Sequence, residues 1–173
     1  MSSTTTSFSG NFPVYSGAQV NSLADTDVAS PTDLDALAWN STTAKWENRF
    51  DGSTNTVVTT DATAAAATYN AAELIGGLIL RDPAGADRTD TISTAALLVA
   101  AMPGAIVGSS FRVTVRNTAD AAETITVAAG TGITLSGTAT IAQNNTKEFL
   151  IVLTNVTSGS EAATMYSIGS YVH

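Results

Sequence analysis

Few residues in this sequence have side chains that could perform catalysis. The chain has no cysteine and one histidine, His173, at the last position of the sequence. A Cys/His pair therefore cannot form, and a Ser-His-Asp triad would depend on a terminal residue that is poorly placed to be held rigidly. Gly130-Thr131-Gly132 is expected to be a corner between strands, without the following helix that a phosphate-binding loop needs. We predict a protein that is not an enzyme, with no catalytic residue and no cofactor.

Aspartates are the remaining candidates for ligand chemistry. Asp25, Asp27, Asp33 and Asp35 lie close together in the sequence and could offer oxygen ligands to calcium. Their spacing is not that of an EF-hand, because the turn glycine and the bidentate glutamate are missing. Aspartates that form turns on a solvated loop explain the cluster more simply. We therefore predict no metal site, with calcium binding at these four residues as the alternative.

Two arginines and a set of threonines lie at alternating positions of expected strands. Arg112 and Arg116 share one strand face, and we expect them to pair with Glu123 or Glu148 across strands rather than to bind an anion. The Thr-x-Thr pairs Thr124/Thr126 and Thr138/Thr140 are expected on a solvated outer face, where threonine is a favoured strand residue.

The composition restricts the classes of partner. Of 173 residues, 44% are hydrophobic and 13% are charged, with a net charge of −8, so the chain can build a core but repels phosphate. This charge leads us to expect no nucleic acid partner. We also expect no membrane partner, because the longest apolar stretch, Ala95 to Val107, is interrupted by Pro103-Gly104 and is too short to span a bilayer. The beginning of the sequence lacks the pattern of a secretion signal, so we expect synthesis in a cytoplasm.

The N-terminal part divides into three segments. Residues 1–22 are polar and are expected to form an extended docking arm that uses Phe8, Phe12, Val14 and Tyr15, with terminal disorder in an isolated chain as the alternative. Residues 23–50 are expected to be a small β-hairpin module that carries both tryptophans, Trp39 and Trp46, with Leu37 beside them. Because an isolated hairpin is marginal in water, its tryptophans need a cover from the chain's own domain or from other subunits. Residues 51–70 are expected to be a linker, with one possible short strand at 56–60.

Residues 71–173 are expected to form the folded domain. Leu74 to Leu80 is predicted to be a strand in which Gly76-Gly77 marks a bulge or a close backbone approach, and 94–101 a helix whose Leu97, Leu98 and Met102 pack on the sheet. Further strands are predicted at 110–117, 124–128, 133–135, 138–142, 147–155 and 162–170. Short strands with regular turns are typical of an all-β fold, here an antiparallel β-sandwich of jelly-roll type with one short helix.

One predicted strand departs from alternation. The run Phe149-Leu150-Ile151-Val152-Leu153 is apolar on both faces. Such a strand lies either in the centre of a sheet beneath the helix or at an interface between subunits. The sequence supports both alternatives equally.

Two segments resemble proteins of tailed-phage virions. The motif of Leu23-Ala-Asp-Thr-Asp-Val28, then Pro31 to Trp39, then Thr43-Ala-Lys45-Trp46-Glu-Asn48 is similar to one found in phage fibres and head appendages. Leu34, Asn40 and Ala44 replace a glycine, an aspartate and a glycine of its usual form. The region from about Ala71 resembles the β-sandwich of phage virion proteins, including capsid decoration proteins.

The resemblance implies a capsid decoration (cement) protein that binds the outer head surface as a homotrimer and stabilises the shell. Its partners would be the major capsid protein, contacted through the arm, and two further copies, contacted through Leu37, Trp39 and Trp46. It would be made in the host cytoplasm and located on the outer capsid surface of the virion. The alternative is a fibre or tail appendage whose β-sandwich tip binds host surface glycans.

Overall fold

The computed structural model describes residues 26–27, 35–40, 43–50 and 56–173. These residues form thirteen strands and two short helices. In chain order they are β1 (Thr26–Asp27), β2 (Asp35–Asn40), β3 (Lys45–Phe50), β4 (Val57–Asp61), β5 (Thr68–Tyr69), α1 (Ala71–Gly76), β6 (Gly77–Arg81), β7 (Arg88–Ile92), α2 (Ala95–Ala100), β8 (Ser110–Asn117), β9 (Ile125–Ala128), β10 (Ile133–Ser136), β11 (Thr140–Ile141), β12 (Asn145–Asn155) and β13 (Ala162–Val172).

The strands form one small sheet and two larger ones. The small sheet has the order β1-β3-β2, the second has six strands in the order β10-β13-β12-β8-β6-β4, and the third has four in the order β11-β9-β7-β5. Buried side chains of the six-stranded sheet, such as Val113 and Phe149, belong to one hydrophobic cluster with Ile125 and Val127 of the four-stranded sheet. The two larger sheets therefore enclose a single core.

The predicted antiparallel, all-β, jelly-roll-like sandwich is wrong, because the fold is mixed α/β with mixed sheets. In the six-stranded sheet β4, β6 and β8 run parallel, and β10 runs parallel to β13. In the four-stranded sheet β5, β7 and β9 run parallel. From β4 to β12 successive strands alternate between the two sheets. Alternation along a strand reveals which face is buried but not which strand lies beside it or in which direction, and this is why the sequence pattern misled.

Two helices replace the single predicted one. The helix predicted at 94–101 is confirmed as α2, which Thr94 caps by accepting a hydrogen bond from the Leu97 backbone N–H. The strand predicted at 74–80 begins only at Gly77, because 71–76 is α1. Asn70 and Glu73 form a capping box at the start of α1, and Gly77 ends it at φ 91°, a conformation that glycine adopts without strain. These local signals outweigh the short apolar run.

Of the two alternatives predicted for Gly76-Gly77, a bulge or a close backbone approach, the structure shows the close approach, at Gly76. A Cβ atom on Gly76 would lie 3.0 Å from Cβ and 3.1 Å from the carbonyl oxygen of Val57. Val57 begins β4, which pairs with β6 at the edge of the six-stranded sheet. The range expected to be a linker, 51–70, therefore contributes β4 and β5 to the two large sheets.

A buried ion pair joins the two large sheets. Arg81 ends β6 of the six-stranded sheet and Asp90 lies in β7 of the four-stranded sheet, and both side chains are fully buried. The Arg81 Nε donates to Asp90 Oδ2 at 2.8 Å, while Nη2 lies 3.4 Å from Asp90 Oδ1. Neither the sequence composition nor its motifs indicated this pair.

The remaining polar atoms of the pair are also hydrogen-bonded. Arg81 donates to the carbonyls of Thr63, Ala65 and Asp82 at 2.6–2.9 Å and lies 3.5 Å from Asp61 Oδ1. Asp90 accepts from the Ala67 backbone N–H at 2.7 Å and from the Tyr69 hydroxyl at 2.9 Å. Burial, reinforced by the charge of Asp90, raises the pKa of Tyr69 far above its usual value, so that the hydroxyl keeps its proton and donates. The cluster thereby fastens the 62–67 segment to both sheets.

Removing Asp90 is expected to destabilise the domain strongly. In Asp90→Ala the buried Arg81 guanidinium would lose its closest counter-charge and keep only the longer contact to Asp61, so we expect a loss near the lower end of the about 3–5 kcal/mol that breaking a buried pair costs. The matched control is Glu148→Ala, which breaks the exposed Arg112–Glu148 pair at an expected cost of about 0–1 kcal/mol. Urea unfolding of both variants measures the difference. Equal losses of the free energy of unfolding would contradict a structural role for the buried pair.

The Asp61 carboxylate makes stability depend on acid pH. Burial alone would raise the pKa of Asp61, but hydrogen bonds from Thr63 and the charge of Arg81 outweigh it and hold the pKa below its ordinary value of 3.8. A lowered folded-state pKa stabilises the fold above about pH 4, and that contribution disappears as pH falls through the folded-state value. Asp61→Asn should therefore be less stable than the wild type at pH 7 and closer to it at pH 3. Urea unfolding at the two pH values checks this; an unchanged difference would contradict it.

Candidate assembly surfaces

The two tryptophans of the chain form an exposed pair on the β2–β3 hairpin. Trp39 and Trp46 are directly opposite each other across the two antiparallel strands. Their ring centroids are 5.7 Å apart with an interplanar angle of 66°, an edge-to-face contact. Trp39 is nevertheless 48% exposed and Trp46 40% exposed. The cover that the sequence analysis expected for these rings is therefore incomplete within one copy of the chain.

A polar cluster on the opposite face of the hairpin holds its turn in place. Glu47 accepts hydrogen bonds from Asn40 Nδ2 at 2.7 Å and from Thr43 Oγ1 at 2.5 Å. The hydrogen bond from Thr43, then that from Asn40, lowers the pKa of Glu47 despite its exposure. Ala44 in the turn has φ 53°, a left-handed conformation that explains why glycine is usual at this position of the motif. These contacts thus fix the geometry of the turn between β2 and β3, the two strands that carry the tryptophans.

The other predicted partner-binding residues are only partly described. Leu37 precedes Trp39 by two residues in β2, so strand alternation places both positions on one face of the hairpin. Phe8, Phe12, Val14 and Tyr15 of the expected docking arm lie outside the described residues, as do Asp25 and Asp33. Among the residues that the structure does describe, no group of three or more His, Cys, Asp or Glu side chains could hold a metal ion.

The outer face of the six-stranded sheet is rich in apolar and aromatic side chains. We call it the outer apolar face; its residues are Leu78, Leu80, Arg112, Thr114, Arg116, Thr146, Glu148, Leu150, Val152, Thr164, Tyr166 and Tyr171. Leu150 lies between the fully buried Phe149 and Ile151 in β12 and is itself only half-buried. Its neighbours across the sheet are Arg112 on β8 and Tyr166 on β13. Tyr166 is 41% exposed and Tyr171 58% exposed.

The surroundings of Leu150 and Val152 bear on the two alternatives predicted for β12, the strand that is apolar on both faces. β12 lies in the centre of its sheet, between β8 and β13, as the first alternative requires. The buried residues of the helices, Leu74 and Ile75 of α1 and Leu98 of α2, belong to the core between the sheets. The apolar sides of the helices therefore pack on the inner side and do not cover Leu150 and Val152.

The outer face of the four-stranded sheet has a different chemistry. Thr89, Thr126 and Thr140 are aligned across three neighbouring strands, and Thr68 is aligned with Thr91. These positions are exposed or half-buried, whereas their strand neighbours Asp90, Ile125 and Ile141 are buried. One sheet thus offers a threonine surface that is compatible with water, and the other offers leucine and tyrosine.

The two arginines of the outer apolar face have different partners. Arg112 Nη1 donates to Glu148 Oε1 at 2.7 Å, so the predicted cross-strand pair is confirmed. Arg116 instead donates from Nε to Nε2 of His173 at 2.9 Å. Because the side chain of Arg112 is 61% exposed, its charge stays accessible to a partner.

Leu97 was predicted to pack on the sheet, and this is wrong. Leu98 and Met102 are buried as expected, but Leu97 is 57% exposed. In a helix of six residues, adjacent side chains point in directions about 100° apart, so only part of an apolar run can reach the core. The turn after α2 also exposes Ile106 and Val107 at 51% and 61%.

Comparisons with known proteins do not identify the chain. No family model matches it, and neither curated proteins nor solved structures gave a significant match. In the described part of the chain, no helix is both long and apolar enough to cross a membrane. The residues themselves therefore carry the functional inference.

Tryptophan fluorescence should report on assembly through the hairpin. Both tryptophans of the chain lie in this pair, so their emission reports on the hairpin alone. In the dilute protomer we expect emission close to that of free tryptophan, because both rings are substantially exposed. Raising the protein concentration should shift the emission to the blue as a partner covers the rings. An emission maximum independent of concentration over the range in which oligomers form would contradict contact through this pair.

Proposed function

We propose that this protein is a non-enzymatic structural component of a tailed-phage virion. In this proposal it is a capsid decoration protein that binds the outer head surface as a homotrimer and stabilises the shell. The observation that carries the proposal is the exposed Trp39–Trp46 pair, which lies within the segment that resembles the phage fibre and head-appendage motif. Large, rigid aromatic side chains are the residues that most often dominate protein interfaces.

The buried polar cluster is consistent with a structural rather than a catalytic role. Arg81, Asp90 and Tyr69 resemble an active-site constellation in composition, since buried charges and perturbed pKa values are common there. All three side chains are essentially inaccessible and bond to one another and to backbone carbonyls. A substrate would have to break these bonds to reach the cluster, so we assign the cluster to stability.

In this proposal each of the three parts of the chain has a separate role. The arm, residues 1–22, contacts the major capsid protein through Phe8, Phe12, Val14 and Tyr15, as their sequence positions suggest. The hairpin joins copies of the chain through Leu37, Trp39 and Trp46, and the two-sheet domain projects outward. Three arms of one trimer bind together, so that weak individual contacts add up to a strong attachment.

Deleting residues 1–22 should leave a folded trimer that no longer binds heads. The arm precedes the first described strand, and no described core residue comes from it. The measurement is co-sedimentation with purified heads that lack this protein, and native mass spectrometry checks the trimer. Wild-type binding by the shortened protein would overturn the role of the arm.

Two full-length variants separate chemistry from chain length in this experiment. Phe8→Ser, Phe12→Ser, Val14→Thr and Tyr15→Ser together should abolish head binding. Thr4→Ser, Thr5→Ser and Thr6→Ser together form the control and should bind as the wild type does. Head binding by the variant without the four apolar side chains would indicate that arm length alone is what the capsid requires. Loss of binding in both variants would indicate that the capsid contact depends on the arm sequence in general and not on these four side chains.

The second candidate function is a fibre or tail appendage that binds host surface glycans. Exposed aromatic rings favour it, because Trp39, Trp46, Tyr166 and Tyr171 could stack on sugar rings. Glycan-array binding that disappears in Trp39→Ser/Trp46→Ser or in Tyr166→Ser/Tyr171→Ser would favour this function. Co-sedimentation with heads in the absence of glycan binding would favour decoration.

A further inference from the structure

The outer faces of the two large sheets differ in polarity. The difference indicates that a partner covers one face and that water solvates the other. The threonine surface of the four-stranded sheet has hydroxyl groups that water can solvate. The outer apolar face instead leaves Leu78, Leu80, Leu150 and Val152 half-buried in the middle of a six-stranded sheet, beside the exposed Tyr166. These half-buried residues adjoin Val58, which pairs with Leu78 and is 52% exposed, and together they form a contiguous apolar patch of the kind that marks an interaction site in soluble proteins.

Charge indicates what the outer apolar face would accept. The chain has 15 acidic and 7 basic residues, for a net charge of −8. On the outer apolar face the balance is reversed, since Arg112 and Arg116 are accompanied there by Glu148 alone. This face is therefore attracted to an acidic partner, and most of the remaining charge of another copy of this chain is acidic.

An acidic surface that could meet this face lies at one end of the domain. The β6–β7 loop carries Asp82 and Asp87, and the β8–β9 loop carries Asp120. The loops are adjacent, because the Thr124 backbone N–H donates to Asp87 Oδ1 at 2.7 Å. We call this surface the acidic end. Asp87 and Asp120 are exposed, and Asp82 is half-buried.

We propose that the outer apolar face of one copy binds the acidic end of a second copy, forming a closed head-to-tail ring. The inference rests on the proposed function for the number of copies and names an interface additional to the tryptophan hairpin. A face-to-face pair would bring the arginines of both copies together, whereas head-to-tail docking places arginine against aspartate. A ring that closes uses the same contact in every copy and leaves no outer apolar face exposed.

Matched charge insertions on the two sheets test the contact. Tyr166→Asp places a carboxylate in the outer apolar face, and Thr89→Asp places one on the exposed outer face of the four-stranded sheet. Sedimentation velocity of the full-length proteins should show Tyr166→Asp dissociating at concentrations at least about tenfold higher than the wild type. Thr89→Asp should assemble as the wild type does. Equal assembly of both variants, equal loss in both, or a monomeric wild type would overturn the inference.

A mixing experiment tests the head-to-tail geometry. Asp87→Lys/Asp120→Lys disables the acidic end but keeps a functional face, and Tyr166→Asp does the opposite. Both variants also carry Trp39→Ser/Trp46→Ser, which removes the hairpin contact between copies. Each alone should then be monomeric, and an equal mixture should form heterodimers by native mass spectrometry, because each mixed pair retains one intact contact. Absence of heterodimers would overturn this geometry, with circular dichroism verifying that both variants fold.

Failure of this inference is distinguishable from failure of the proposed function. If Tyr166→Asp stays trimeric and binds heads, the outer apolar face is not the contact, and the decoration function stands. If Tyr166→Asp becomes monomeric but wild-type trimers do not bind heads, the contact stands and the decoration function falls.

Discussion

The Arg81–Asp90 pair is the interaction that connects the separate parts of this fold. Each partner belongs to a different sheet, and the carbonyls that complete the arginine's hydrogen bonds come from the segment that crosses between them. A buried charge is tolerated only when its partner and its remaining donors are all satisfied, so the position of each strand end is constrained at once. The pair therefore acts on the relative placement of the two sheets as well as on stability.

The packing of both sheets and both helices around one core also decides which apolar surfaces of the domain stay uncovered. Because α1, α2 and the inward side chains of both sheets are committed to a single core, no helix or sheet of the described residues 56–173 covers the outer side of the six-stranded sheet. Leu150 and Val152 are apolar without being fully buried. The two tryptophans of the hairpin are likewise only partly buried. Incompletely covered apolar surfaces of this kind are where protein interfaces form, and this is the feature on which the proposed assembly role rests.

Individual strands were largely predictable, but their arrangement was not. Strand β8 alternates between buried Phe111, Val113 and Val115 and exposed arginines, and its predicted bounds are those observed. Strand β7 was missed because Asp90 occupies an inward position, where a carboxylate disguises the apolar pattern. An arginine ending the apolar run Leu78-Ile79-Leu80 was a signal that could have suggested a buried counter-charge. For the candidate surfaces, the sequence predicted Trp39 and Trp46 as hairpin partners, and the structure places them in contact.

By itself the sequence determined what depends on neighbouring residues: the alternation of strand β8, the position of helix α2, the paired tryptophans and the excess of acidic charge. Only the tertiary structure decided what depends on residues distant along the chain. The parallel pairing of β4, β6 and β8 joins strands whose connections pass through the other sheet, and Arg81 meets Asp90 because two sheets close on one core. Leu150 is left half-buried for the same reason, because the apolar sides of both helices pack in the core between the sheets. Local patterns specify which side chains avoid water, but the partners that shield them are chosen by the packing of the whole chain.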